Sequence, residues 1–171
     1  MKTRYPFVVM LIAAVAVTGS HAEAIGKLVP SIPAADHAAI RNYRLDSDIV
    51  QRLVSVAMDV CKARIDRRAY LGRTGSNTLE DITNRVMDPQ PRLAHIVESH
   101  GFTRREYMTA TFALASARQA LLQGGDKPSA SQAYSEFVSP VNASEANIAF
   151  YKAHRAELDM LLSGQPLERQ R

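Results

Sequence analysis

The sequence predicts an all-α fold, a compact bundle of three long and two short helices. Three observations predict it. Apolar residues recur at three-and-four spacing along several stretches, as one face of a helix requires. Polar helix-start signals stand directly before those stretches at Asp46, Thr78, Thr103 and Asn142. No stretch alternates with period two and rich β-branching, and no internal repeat is present.

The first long helix is predicted to start after Asp46. Ile49, Val50, Leu53, Val54, Ala57, Val60 and Cys61 follow as one apolar stripe. Cys61 is expected there as a small buried hydrophobe. Lys62, Arg64, Arg67 and Arg68 crowd the helix end, where cations favour the dipole. Gly72 to Asn77 reads as a loop. Thr78-x-x-Asp81 opens a short second helix that Asp88-Pro89 stops. A third short helix runs from Pro91 to His100, with proline suited to its first position and Gly101 to the residue just past its cap. Thr103-Arg104-Arg105-Glu106 is a capping box, and Phe102 with Tyr107 can form a hydrophobic staple across it. That fourth helix is predicted to reach Gln123 and end at Gly124-Gly125. Its many alanines let another helix approach closely. Residues 126–141 read as a long surface connection. Asn142-x-x-Glu145 is expected to cap a fifth helix, which carries Ile148, Tyr151, Leu158, Leu161 and Leu162 and ends at Gly164.

The predicted organisation is a signal peptide over 1–24, a linker or arm over 25–42, a helical domain over 43–164 and a flexible tail over 165–171. Lys2 and Arg4 form a positive start, Phe7 to Val17 is an apolar run of 11 residues, and Ala22-Glu23-Ala24 is an A-x-A cleavage pattern. The run is shorter than the roughly 20 residues a spanning helix needs. Cleavage would leave no stable membrane span, and the expected location is periplasmic or secreted. Within residues 25–42, Pro30, Pro33 and several alanines leave room for one helical turn near Ala34 to Ile40.

Composition excludes other classes. The 171 residues are 46% hydrophobic with a single cysteine and no tryptophan, which rules out collagen, a disulfide scaffold and a polytopic membrane protein. A formal charge of +4 is too small to imply nucleic acid as a partner. One cysteine cannot form an internal disulfide, which leaves a free thiol or an intermolecular bond. The motifs of c-type haem attachment, phosphate-binding loops, serine hydrolases and zinc proteases are missing.

No catalytic residue, cofactor or metal is expected. His95 with Glu98, and His154 with Glu157, repeat an i, i+3 spacing. Di-metal bundles use the reverse order and more carboxylates. Asn142-Ala143-Ser144 matches a glycosylation sequon, with helix capping as its ordinary reading. The candidate binding residues are Asn142, Asn147, Tyr151, His154 and Arg155. They gather amide and charged groups beside aromatics at the start of the last helix.

Three segments carry a family resemblance. They are Tyr43-Arg44-Leu45-Asp46, Phe102-Thr103-Arg104-Arg105-Glu106-Tyr107, and Pro140 to Tyr151 with His154-Arg155-Ala156-Glu157. Over residues 43 to 163 the chain resembles an uncharacterised family of small secreted or periplasmic all-helical proteins of proteobacteria. That family's pattern has Thr where Asp46 stands and Pro where Ala143 or Ser144 stands, and both changes keep a capping residue in place. The resemblance implies fold and location and brings no activity. The helix starts at Asp46 and Thr103 are also similar to the L-T-x-x-Q motifs of periplasmic chaperones, without the glutamine. The functional expectation is a non-catalytic binding module whose partner is an unknown protein or small ligand of the cell envelope. A chaperone-like protein is the first alternative and a metal-binding secreted enzyme the second.

Overall fold

A computed structural model describes residues 32–65, 78–123 and 137–163. The signal-peptide segment, Arg67 and Arg68, the 72–77 loop, Gly124-Gly125, residues 126–136 of the long connection and the 165–171 tail lie outside the described residues. Seven α-helices and one 3-10 turn make up the described chain, and it contains no strand. They are α1 (Ala34–Asn42), α2 (Ser47–Lys62), α3 (Leu79–Met87), α4 (Pro91–Ser99), α5 (Arg104–Gln123), the 3-10 turn Pro140–Asn142, α6 (Glu145–Ala153) and α7 (Arg155–Ser163). Among the described residues no helix is long and apolar enough to cross a membrane.

Helix α5 is the axis of the fold. It packs against α1, α2, α3, α4, α6 and the 3-10 turn. A helix surrounded this way must bury nearly its whole circumference. Met108, Ala110, Phe112, Ala113, Leu114 and Ala117 are all buried on it, with Thr109 and Ser116. The alanines admit the neighbouring backbones. The buried hydroxyls find carbonyl acceptors, Thr109 donating within the helix to Arg105 at 2.8 Å and Ser116 across to Phe137 at 3.3 Å.

The helix starts follow the sequence signals at three points. Asp46 accepts from the Ile49 amide at 2.9 Å, and Thr78 accepts from the Asp81 amide at 2.9 Å. At α5 the capping box closes in both directions. Thr103 Oγ1 accepts from the Glu106 amide at 3.1 Å, and the Glu106 carboxylate accepts from the Thr103 amide at 3.3 Å. Phe102 and Tyr107 meet edge to face with centroids 5.9 Å apart, the expected staple. Gly101 sits at φ 77° just past α4. Its amide donates to the Glu98 carbonyl and that of Phe102 to the Val97 carbonyl, a Schellman closure. The same closure ends α2, with Arg64 at φ 53° in the left-handed position that glycine prefers.

Four expectations are corrected. Residues 34–42 are no loose arm. They form α1, with Ile40 fully buried. Asp36 is also buried there; it accepts from the Leu79 amide at 2.8 Å and from the Arg105 guanidinium at 2.8 Å. The sequence hides this because the helix has a single large apolar residue and its second anchor is a carboxylate. The cap of α6 is Ser144, which accepts from the Asn147 amide at 3.2 Å, and Asn142 lies buried in the preceding turn. The predicted fifth helix is two helices that meet at His154. Cys61 is exposed, since it lies past the curve of the α2 stripe that Val50, Leu53, Val56 and Val60 bury.

Arg52 ties α2 to the α4–α5 corner. Its Nε donates to the His100 carbonyl at 3.0 Å, a second guanidinium nitrogen donates to the Gly101 carbonyl, and the cation stacks 3.9 Å above the Phe102 ring. A cation is well placed on these C-terminal carbonyls. Asp59 reinforces the same pairing of α2 with α4 by meeting His100 Nε2 at 2.9 Å.

Candidate functional site

Asn147, Asn142 and Tyr151 point inward. The link between α1 and α2, residues 43–46, is not helical, so its peptide groups need partners from outside. Asn147 supplies them. Its Oδ1 accepts from the Leu45 amide at 3.0 Å and its Nδ2 donates to the Tyr43 carbonyl at 2.7 Å. The side-chain amide thus stands in for a strand partner. Asn142 does the same for two other segments, meeting His37 Nδ1 at 2.7 Å and donating to the Phe137 carbonyl at 3.0 Å. Because the Asn142 oxygen can only accept, His37 carries its ring proton on Nδ1. A buried amide engaged in this way is not a glycan acceptor in the folded chain.

Tyr151 is buried and donates to the Asp159 carboxylate at 2.7 Å. Burial and the adjoining carboxylate together push its phenol well above the usual tyrosine range. Asp159 also accepts from Arg118 Nε and Arg155 Nε, each at 3.3 Å. Partial burial works to raise the Asp159 carboxyl, but the hydrogen bonds from Tyr151, Arg118 and Arg155 outweigh it and hold the group below the ordinary aspartate value. Arg155 is therefore part of a cluster that fastens α7 to α5. Asp159, its centre, was not among the residues the sequence singled out, because an aspartate on a predicted apolar helix reads as solvent-facing.

Like Arg155, His154 is exposed to solvent. It ends α6 and its carbonyl starts α7, accepting from the Leu158 amide at 3.0 Å. Its ring lies 4.5 Å from the Phe150 ring. Phe150 and His154, with Glu157, form one wall of a groove, and Ser47, Val50, Gln51 and Val54 of α2 form the other. Val50, Val54 and Phe150 make an apolar floor, while Ser47, Gln51, His154 and Glu157 make a polar rim. The space is about 280 Å³, just under the roughly 300–1,000 Å³ of small-molecule pockets. The α2 wall escaped sequence reasoning, since Val50 and Val54 belong to the stripe that packs on the core, and only the edge of that stripe lines the groove.

The two His/Glu pairs stay apart. His95 and Glu98 are exposed on α4, and Glu98 is engaged with Arg104 Nε at 2.9 Å. Among the described residues no three His, Cys, Asp or Glu side chains come together as a metal site. Compared with known proteins, the chain matches no family model, no curated sequence and no solved structure.

Proposed function

We propose that this protein is an exported, non-catalytic interaction module of the bacterial cell envelope, periplasmic or secreted after loss of residues 1–24. Its binding face is the groove between α2 and the α6–α7 junction. The observation that carries the reading is the pairing of an apolar floor, Val50, Val54 and Phe150, with a rim of uncommitted polar groups led by His154. Three of the five residues first singled out, Asn142, Asn147 and Tyr151, serve the fold, so recognition falls to the side chains around His154. The groove is open and small, which suits an inserted side chain or short peptide segment of a partner protein better than an enclosed ligand.

In-cell photo-crosslinking tests this. A photoreactive residue at position 154 is expected to give a discrete heterologous adduct in the envelope fraction, and one at the exposed position 95 is expected to give none. Equal labelling at both positions, or none at 154, defeats the reading. Intact-mass measurement of the same envelope protein tests export: a mass that retains Met1 to Ala24 defeats that part.

The apolar floor also supports a chaperone-like reading, in which the groove holds unfolded clients. Suppression of aggregation of a chemically denatured client that is lost in Val54→Asp would favour it over a dedicated partner.

A further inference from the structure

We propose that the outer face of α2 is a self-association surface, on which a second copy of this chain docks antiparallel. Ser47, Gln51, Val54, Met58 and Cys61 follow one another in alternating steps of four and three, the spacing of a two-helix seam. The α6–α7 junction stands across a groove from Ser47, Gln51 and Val54, and Val54 is partly buried against the core, so the most open part of this face is Met58 and Cys61. Gln51 and Cys61 are exposed, and Met58, 48% exposed, is one of the three large hydrophobic residues that the described chain leaves in solvent. The face turned the other way, Val50, Leu53, Val56 and Val60, is the core face.

Charge decides the occupant and its direction. A row of residues seven apart, Asp48, Ser55 and Lys62, flanks the seam on one side. Asp48 is 75% exposed and Lys62 is 71% exposed. Each has only a local surface partner, Arg52 at 3.8 Å and Asp59 at 2.9 Å respectively. Such exposed pairs are worth little. Set antiparallel with Ser55 opposite Ser55, two copies bring each Asp48 to the Lys62 of the other, while Val54 and Met58 meet at the centre. A parallel pairing instead sets this row on opposite edges of the seam in the two copies, so neither Asp48 nor Lys62 meets its counterpart. Acid at one end and base at the other therefore make this face complementary to itself in the antiparallel sense. One face of a sixteen-residue helix is less than the roughly 800 Å² per partner of a standard interface, so the dimer is weak and reversible. The inference does not rest on export or on the identity of any other ligand. Because Ser47, Gln51 and Val54 also line the groove, a second copy and a heterologous partner would compete for it.

Sedimentation velocity of the full folded domain, from about 10 μM to about 1 mM, is expected to show a monomer–dimer equilibrium that weakens with salt. Asp48→Lys and Lys62→Asp are each expected to weaken dimerisation about tenfold, and the double variant to restore it. Within one chain the two residues are about 21 Å apart along the helix, so restoration can come only from contact between copies. Circular dichroism confirms that each variant is folded. A monomer throughout the range, a double variant weaker than either single one, or a dimer that oxidation locks through Cys61–Cys61 overturns the inference. The last result belongs to the parallel arrangement. Loss of dimerisation leaves position 154 free to crosslink a heterologous partner, so the two proposals fail separately.

Discussion

Asn147 shows how much of this fold rests on single side chains. It is fully buried and both ends of its amide serve backbone groups of the 43–46 link. Asn147→Ala leaves the Leu45 amide and the Tyr43 carbonyl unpaired, at about 1–3 kcal/mol for each group that water cannot reach. The expected loss is about 3 kcal/mol, read from urea midpoints; a loss below about 1 kcal/mol would mean that water enters and replaces the amide. Sequence alone marks Asn147 as polar and near aromatics but cannot say that its partners lie 102 and 104 residues away. Two phenols make a second test. Burial and the Glu106 carboxylate raise Tyr43, as burial and Asp159 raise Tyr151. A raised acid contributes stability in full below its unfolded value of 10.0, and that stability is lost as pH rises through the folded value. In an alkaline absorbance titration, two of the six tyrosines are expected to ionise only as the protein unfolds. Reversible ionisation of all six near pH 10 in the folded state would contradict these environments.

Helix starts were the most legible feature, because a cap is a local event between residues three apart. The Asp46, Thr78 and Thr103 caps all occur where the residues indicated. Thr103→Ala removes the α5 cap and is expected to lower stability by about 1 kcal/mol in denaturant melts. An unchanged midpoint would mean that Glu106 and Tyr107 hold the helix start unaided. Of helix α1 only a turn near Ala34 to Ile40 was legible, and its packing was not, because its burial is decided by distant elements. Ile40 has no exposed surface at all, and the Asp36 carboxylate reaches the start of α3 and Arg105 of α5. Ile40→Ala is expected to cost about 2–5 kcal/mol, a value suited to a core helix and far above what a loose arm would give. The break at His154 was illegible for the opposite reason. Ile148, Tyr151, Leu158 and Leu161 keep a helical period across it, so periodicity ran on where the backbone turns.

Across the whole molecule, charge pairs fasten elements that apolar packing has already brought together. Asp59 joins α2 to α4, and Asp159 joins α7 to α5 and to Tyr151 of α6. Both carboxyls lie below their ordinary value of 3.8; hydrogen bonds from Lys62 and His100 cause it at Asp59, and at Asp159 those from Tyr151, Arg118 and Arg155 prevail over burial. A lowered carboxyl contributes stability in full above its unfolded value, and the contribution disappears as pH falls through the folded one. The stability gap between the natural chain and Asp159→Asn is therefore expected to be steady near neutrality and to close below about pH 4. Urea midpoints across that range measure it, and a gap that persists at pH 2 would assign the aspartate's contribution to shape instead of charge. The all-helical class was legible at this scale because periodicity reports it directly. The groove was not, since it exists only where α2 happens to pass the α6–α7 corner.

The long reach of Asn142 and Asn147 has a consequence for timing. Their partners, His37, Tyr43 and Leu45, are made more than a hundred residues earlier on the ribosome. Until residue 147 has emerged, the Leu45 amide and the Tyr43 carbonyl of the link between the first two helices lack the side chain that pairs them, and such distant closures come late in folding. The corner between α1 and α2 therefore closes only after most of the chain has been synthesised.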